Sequence, residues 1–519
     1  MIKNIELYIP IEYRDDLVFI KKSIARSAKI SLEEISNIEI VKRSLDCRSK
    51  VPKYLFNINI YSGQDNLIEE NYNNYKECDP NKVVHIVGAG PAGYFAALEL
   101  MRNGIKPIIY ERGKDVRNRR FDLKQIMQKG LINPNSNYCF GEGGAGTFSD
   151  GKLYTRSLKR GNVKKILKIF VENGADPDIL VDSQAHIGSD KLPDIISEIR
   201  NTILKFGGEV HFNSKLTNLT IKNSIITEIE INNEQIIEIK NLILATGHSA
   251  KDIYYLLDKN NVKLESKDFA IGFRIEHYQE HINELQYGKK FAKILPPASY
   301  KFVSQVNDKG VYSFCMCPGG IIVPSSTSPK ELVVNGMSMH SRNSKFANSG
   351  FVCSVNNADL VEYTQYKEFA GLKFQEDIES SFYFDIYENF MKAPAQRTID
   401  FVNNKESNSL EKSSYIPGLI NIRLDTLFPK LISESLRVGL ININQKKKGF
   451  ICNESNVIGL ESRTSSPLRI PREKELMHHI QIKNLYPVGE GAGYSGGIVS
   501  SAIDGENAAK IINTKINNQ

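Results

Sequence analysis

The chain has 519 residues, 41% apolar and 24% charged, an ordinary globular balance with length for about two to four domains. Its net charge of +7, from 67 basic against 60 acidic residues, is mild and does not by itself argue for nucleic acid. The seven cysteines follow no framework spacing, no CxxC pairs suggest a metal site, and no apolar run nears the ~20 residues that span a bilayer. The amino terminus lacks signal-peptide regions, so a cytoplasmic protein with reduced thiols is expected, with no membrane contact and no metal.

In chain order, residues 1–80 read as a separate α+β module of ferredoxin-like character. IKNIELYIPI alternates as a strand, Asp15 to Ala28 is helical, and SNIEIVKRSLDCRSK and YLFNINIYSG are two further strands around Pro52. The polar stretch GQDNLIEENYNNYKECDPNK connects this module to a second unit.

VVHIVGAGPAGYFAALELMRNGIKPIIYER is the most informative segment. Val83 to Val87 predicts a buried strand, Ala92 to Asn103 a helix closed by Gly104, and Lys106 to Tyr110 a second strand. Gly88, Gly90 and Gly93 stand between at GxGxxG spacing. Gly88 allows the tight turn, Gly90 lets the backbone approach a pyrophosphate, and Gly93 lets helix and strand pack closely. The helix N-terminus offers free N–H groups to phosphate, and Glu111 stands where a ribose hydroxyl is bound. This segment predicts a doubly wound, Rossmann-like α/β domain that binds a dinucleotide.

Beyond Glu111 the chain is basic, with Arg112, Arg117, Arg119 and Arg120, and such clusters are usually solvated surface. NYCFGEGGAGTFSDGKL is too rich in glycine for a regular element. A helix is predicted from Leu192 to Phe206, then one strand over EVHFNSKLTNLTI, a meander over SIITEIEIN and EQIIEIKN, and a strand LILATG running into a turn. Residues 251–470 mix strand and helix signals and read as a substrate domain inserted into a dinucleotide domain of residues 81–250 and 471–519. The chain ends with a strand from Leu485, a glycine loop and a helix.

Three glycine-rich segments, 88–93, 141–147 and 489–497, lie far apart in sequence. An NAD domain needs only the first. FAD is longer and takes backbone contacts along its pyrophosphate, ribityl chain and ring. Glu490 follows a strand where a ribityl hydroxyl can meet it. The helix that begins near Gly497 can favour the negative charge of a reduced flavin.

With FGEGGAGTFSDGKL, HIGSDKL, LILATGHSA, FRIEH, FCMCPGG, NGMSMHSRNSKFANSGFV, APAQRTIDF, ESRTSSPLRI and YPVGEGAGYSGGIVSSAIDGENAA, nearly the whole chain resembles a bacterial family of poorly characterised FAD-dependent dehydrogenases. That family lies in the glutathione-reductase-like FAD/NAD(P)-binding superfamily, whose ATG turn is matched by Ala245, Thr246 and Gly247. The resemblance implies non-covalent FAD. Gly88, Gly90, Ala92 and Gly93 would hold its pyrophosphate, and Glu111 and Arg112 would flank its ribose. Leu216 would meet adenine through its backbone. Gly144, Gly146 and Thr147 would approach the ribityl and ring, with Ser149, Asp150 and Lys152 just beyond. Gly489, Glu490, Gly497 and Ile498 would bind ribityl and flavin. Gly350 departs from the family, which usually has a bulkier apolar residue there.

The candidates for chemistry are Cys315, Cys317, His340, Arg342, Arg463 and Tyr494. A thiol near flavin can carry electrons. In a regular strand, however, the two sulfurs of a CxC share a face at a separation that disfavours a disulfide, and loop packing is the plainer reading. His340, Arg342, Glu461, Arg463 and Arg469 can line a cleft for an anionic substrate, or form structural ion pairs. His248 can lie near the cofactor or simply pack. Tyr494 can sit over the flavin or simply pack.

The expected activity is hydride transfer between flavin N5 and an unidentified small molecule of anionic character. No second GxGxxG unit is present, so NAD(P)H would be at most a transient electron donor. An FAD-containing RNA-binding or tRNA-modifying protein is the rival reading, although no aromatic-rich RNA motif stands out. A non-catalytic flavin redox sensor is a weaker one.

Overall fold

The computed structural model describes residues 2–62, 71–155, 159–385 and 391–518. Residues 63–70 of the expected connector lie outside them.

The amino-terminal module is β1 (Ile2–Pro10), α1 (Leu17–Ala28), β2 (Asn37–Asp46) and β3 (Lys53–Tyr61), in the antiparallel order β1-β3-β2. This is the ferredoxin-like pattern without its second helix and fourth strand. Asp16 caps α1 by accepting the Phe19 N–H at 2.9 Å, and Ile20, Ile24 and Ala28 at helical spacing bury its inner face. The buried Arg43 joins the module to residues 178–182 through Asp178 at 2.6 Å and Asp182 at 2.7 Å.

The chain continues through β4 (Asp79–Val87), α2 (Pro91–Met101), β5 (Ile105–Tyr110), α3 (Val116–Lys129), α4 (Val163–Glu172), α5 (Leu192–Lys205), β6 (Glu209–His211), β7 (Leu216–Lys222), β8 (Ile225–Ile231), β9 (Gln235–Glu238), β10 (Leu242–Leu244) and α6 (Lys251–Lys259). The next region holds β11 (Glu265–Ser266), β12 (Phe269–Tyr278), α7 (Gln279–Tyr287), β13 (Val303–Val306), β14 (Lys309–Cys317), β15 (Gly320–Pro324), β16 (Val334–Ser338), β17 (Phe346–Val355), α8 (Ala370–Ser381), β18 (Ala393–Arg397), α9 (Thr398–Val402), β19 (Leu419–Asn421), α10 (Lys430–Lys446), β20 (Asn456–Glu461) and β21 (Leu468–Arg469). The chain closes with β22 (Leu485–Pro487) and α11 (Ile498–Asn517).

A five-stranded parallel sheet in the order β22-β10-β4-β5-β6 gives the Rossmann-like α/β fold. Apart from β6 and the first half of β4, its strands are largely buried, with α2, α5 and α11 packed over them in one apolar core. Gly505 makes the α2–α11 crossing possible, because a Cβ there would sit 1.9 Å from the Ala92 carbonyl oxygen. A seven-stranded sheet, β13-β14-β17-β12-β20-β18-β19, is built wholly from residues 303–461 and β12. It has its own core around Phe273, Phe351 and Phe401. The chain then returns to the five-stranded sheet at β22, beside β10.

One predicted strand is two. EVHFNSKLTNLTI breaks at Asn213, which takes a left-handed conformation at φ 53°. β6 completes the parallel sheet, and β7 starts the separate meander β7-β8-β9. The basic stretch after Glu111 forms α3, whose Arg119 is fully buried rather than solvated.

Candidate functional site

The three glycine segments meet on one cleft of about 830 Å³. The first supplies the turn from β4 into α2. Gly88 has φ 106°, and a Cβ there would lie 2.4 Å from the Ala245 carbonyl oxygen. A Cβ at Gly93 would lie 2.0 Å from the Gly88 carbonyl oxygen. Both glycines are therefore demanded by packing, and Gly93 stays behind the cleft wall. Gly90 differs. A Cβ there would meet only the Gly144 Cα at 3.9 Å and would point into open space. Gly90 is also the N-cap of α2, with no side chain satisfying the first-turn N–H groups.

Glu111 is buried at the cleft floor and ties the loops together. Its Oε2 accepts the Ala89 N–H at 2.9 Å. Its Oε1 accepts the N–H groups of Gly113 at 2.9 Å and Gly141 at 3.0 Å. Three of about four acceptor positions are thus engaged, which leaves one on Oε2. Arg112 stacks over Phe140 at 4.2 Å and pairs with Asp252 at 2.8 Å; Lys215 reaches the same carboxylate at 3.0 Å. Burial opposes the charge of Asp252, yet these two cations hold its carboxyl below the ordinary range. Leu216 lines the cleft beside Lys215.

The second glycine segment makes a short turn at Gly144–Gly146. Arg119 pins it from beneath, donating to the carbonyl oxygens of Asn137, Glu142 and Gly144 at 2.8 to 2.9 Å. Gly144 and Gly146 face the cleft. Thr147 does not: its hydroxyl donates inward to the Glu142 carbonyl at 3.0 Å. Side-chain facing of this kind leaves no periodic signal in the sequence.

The third segment meets the turn Ala245–Thr246–Gly247 after β10. Cβ atoms at Gly247, Gly496 and Gly497 would meet nothing within 4 Å. Gly497 is the N-cap of α11, again without a side-chain cap, so a second helix N-terminus opens onto the cleft. Ala92, Gly489, Glu490 and Ile498 line the same wall. His248 bridges the two turns, with Nδ1 2.9 Å from Glu490 Oε2 and Nε2 3.2 Å from the Arg463 carbonyl oxygen. Burial raises the Glu490 carboxyl, but His248 and the Gly497 N–H outweigh it and hold the group below the usual range.

The remaining wall carries Ser149, Asp150, Lys152, Lys301, Tyr312, Phe314, Cys315 and Asn335. β14 of the seven-stranded sheet brings Tyr312, Phe314 and Cys315, β16 of the two-stranded sheet β15-β16 brings Asn335, and Lys301 stands just before β13; Cys315 apart, nothing local in their sequence marks them as cleft residues. Lys152 Nζ lies 3.9 Å from Cys315 Sγ and also donates to the Met316 carbonyl. Beneath them, the fully buried Arg274 donates to the Cys315 carbonyl at 2.7 Å and to Asn335 Oδ1 at 2.9 Å, and faces Glu461 at 3.2 Å. Burial pushes Glu461 up to about 7, against Arg274.

Four chemical candidates have other duties. Every donor of Arg463 is engaged: with Glu379 at 2.9 and 3.0 Å, Glu331 at 2.7 Å, Thr327 at 2.9 Å and the Ser325 carbonyl at 3.4 Å. It therefore holds a buried ion network and has no donor left for a substrate carboxylate. Arg342 pairs with Asp150 at 2.7 Å behind the wall. His340 stacks on His186 at 5.6 Å, with Nδ1 3.0 Å from the Ile187 carbonyl oxygen. Tyr494 turns away from the cleft, its ring 4.0 Å beneath the Arg472 guanidinium. Gly350, where the family usually has a bulkier residue, has a physical reason: a Cβ would lie 3.1 Å from the Phe314 carbonyl and 3.4 Å from the Glu461 carboxyl.

Residues 82–266 match a family model described as pyridine nucleotide-disulphide oxidoreductase. Residues 268–464 match one described as FAD-dependent protein, C-terminal domain-like, and residues 1–61 match a domain of unknown function. An "Uncharacterized protein" of Clostridium beijerinckii is 39% identical, over 98% of each chain. Among solved structures, tetracycline destructase Tet(51) is similar at 12% identity and TM-score 0.34, covering 84% of this chain and 82% of its own. CtdE in complex with FAD is similar at 14% identity and TM-score 0.33, covering 83% of each. A flavoprotein/dehydrogenase from Cytophaga hutchinsonii is similar at 11% identity and TM-score 0.35, covering 84% and 79%.

Proposed function

Because the chain belongs to a poorly characterised family of FAD/NAD(P)-binding proteins and is an FAD-dependent oxidoreductase, we propose that it passes hydride between flavin N5 and a small anionic molecule. The observation that carries this reading is the meeting of three distant glycine segments on one cleft, with two helix N-termini open to it.

The cleft fits FAD. The α2 N-terminus offers orphan N–H groups to a pyrophosphate, and Gly90 leaves the space that a phosphate needs. Glu111, Arg112, Lys215 and Leu216 would receive the adenosine, and Gly144, Gly146, Gly247 and Glu490 the ribityl chain. The α11 N-terminus favours added negative charge, as on a reduced flavin ring. Bound FAD would supply the two-electron chemistry. Asp150, Lys152 and Cys315 would form the wall against which the substrate is held, and the exposed Lys301 on the same face would attract an anion. NAD(P)H would reduce the flavin by transient docking.

Among the described residues no helix is long and apolar enough to cross a membrane. The purified protein is expected to be yellow and to release FAD on denaturation. Anaerobic mixing with NADH, NADPH and a panel of small carboxylates and phosphates should bleach the flavin band with at least one of them. Colourless protein that cannot be reconstituted with FAD overturns the reading.

A further inference from the structure

The CxC of β14 does not lie in a regular strand. Phe314 pairs with Gly350 and Cys317 with Asn348, so three steps along β14 oppose two along β17. One residue is extra, the signature of a β-bulge. Cys315 sits in it with φ 45°, a left-handed conformation that a non-glycine residue adopts only when its surroundings impose it. Arg274 is part of what imposes it, through its hydrogen bond to the Cys315 carbonyl.

The bulge has two chemical consequences. It turns Cys315 to the cofactor cleft while Cys317 stays wholly buried behind it. It also folds Cys317 back on Cys315: the Cys317 S–H donates to the Cys315 carbonyl at 3.4 Å. The extended geometry that keeps the two sulfurs of a CxC apart is therefore absent here. The Cys317 donor, with Lys152 and Arg274 nearby, holds Cys315 well below the ordinary thiol range against burial. Cys317 is pushed above that range by its donation to Cys315 and by burial. Burial raises Cys78 and Cys353 to about 11, so Cys315 stands apart from both.

We propose that Cys315 and Cys317 are a dithiol–disulfide couple built into the cleft wall, Cys315 as thiolate and Cys317 as its proton-carrying partner, exchanging two electrons with the bound flavin. The proposal rests on the reading of the cleft as an FAD site. In the oxidising direction the Cys315 thiolate and Cys317 sulfur join in one S–S bond and the Cys317 S–H bond breaks. Its proton and two electrons pass to oxidised flavin, leaving the anionic reduced form. The reverse step reopens the disulfide.

The test uses the holoprotein. It is oxidised with diamide, blocked with N-ethylmaleimide and digested with trypsin, and the peptide of residues 310–330 is weighed. That peptide contains Cys315 and Cys317 and no other cysteine. The proposal expects it unblocked and two hydrogens lighter than the dithiol form. A peptide carrying two maleimides overturns it. Anaerobic dithionite titration of the oxidised holoprotein should consume about four electrons per flavin in the wild type and about two in Cys317→Ser. Two in both overturns the couple. Flavin content is measured on the same sample. Bound flavin beside a doubly blocked peptide sinks the couple alone, and flavin-free protein sinks the functional reading while the peptide mass still decides the couple.

Discussion

His248 Nδ1 lies 2.9 Å from Glu490 Oε2, so a single contact joins the turn after β10 to the glycine turn before α11. These two turns form adjacent parts of the cleft, and the contact holds the half-buried Glu490 carboxyl below its usual range. Glu490→Gln removes that charge and leaves the shape. FAD affinity of the apoprotein, followed by quenching of flavin fluorescence, should fall about ten-fold, the scale of one charge-assisted hydrogen bond. Unchanged affinity would mean that Glu490 does not serve the cofactor.

The three glycines of the fingerprint should behave differently. Gly90→Val has room in the fold, and its backbone at φ −82° and ψ −175° is ordinary for valine. Its side chain enters the cleft, so the protein should fold and fail to retain FAD. Gly93→Val drives a Cβ into the Gly88 carbonyl and should cost about 3 kcal/mol or more, leaving little soluble protein. Circular dichroism and flavin content together separate the two outcomes.

Arg463→Met removes one of the two cations that face Glu331 and Glu379, leaving both carboxylates to Lys251 alone. Urea unfolding should show a loss of about 3–5 kcal/mol, the scale of a broken buried pair. Because Arg463 has no free donor, KM for the substrate should stay unchanged in the folded fraction. A large rise in KM with intact stability would restore it to the substrate site.

Glu461 holds its proton up to about pH 7 in the folded chain and loses it near 4.5 when unfolded. Between those values the unfolded chain has released a proton that the folded chain keeps, so stability falls as pH rises through the window. Glu461→Gln should therefore gain on the wild type between pH 5 and pH 8, by on the order of 2–3 kcal/mol. A difference that does not move with pH rejects the assignment.

Lys152→Met should move the onset of Cys315 alkylation by iodoacetamide to higher pH, because the cation that favours the thiolate is gone. In the wild type Cys315 should react at lower pH than Cys78 or Cys353. The pH dependence of labelling at each site, read by peptide mass, checks both statements.

The β4–α2–β5 unit was legible because its signals are local: strand runs, glycine spacing and an acid at the strand end. The FAD reading came from three segments of the same local kind. Side-chain fates were less legible. Arg463 reads as a substrate arginine until Glu331 and Glu379, 132 and 84 residues away, are seen to take its donors. Tyr494 sits inside a glycine segment, yet turns to Arg472. Lys301, Tyr312 and Asn335 reach the cleft only because the segments around β13, β14 and β16 fold against the dinucleotide unit.

By itself the sequence determined the Rossmann-like unit and the kind of cofactor, since chain-neighbour sterics and periodicity dictate strands, turns and helix starts. Only the tertiary structure decided which groups face that cofactor. The bulge at Cys315 exists because β17 offers one residue fewer than β14 across the same span, and the charge on Cys315 is balanced by Lys152, 163 residues away in the chain. Pairing registers and countercharges are properties of two segments at once, and neither segment carries them alone.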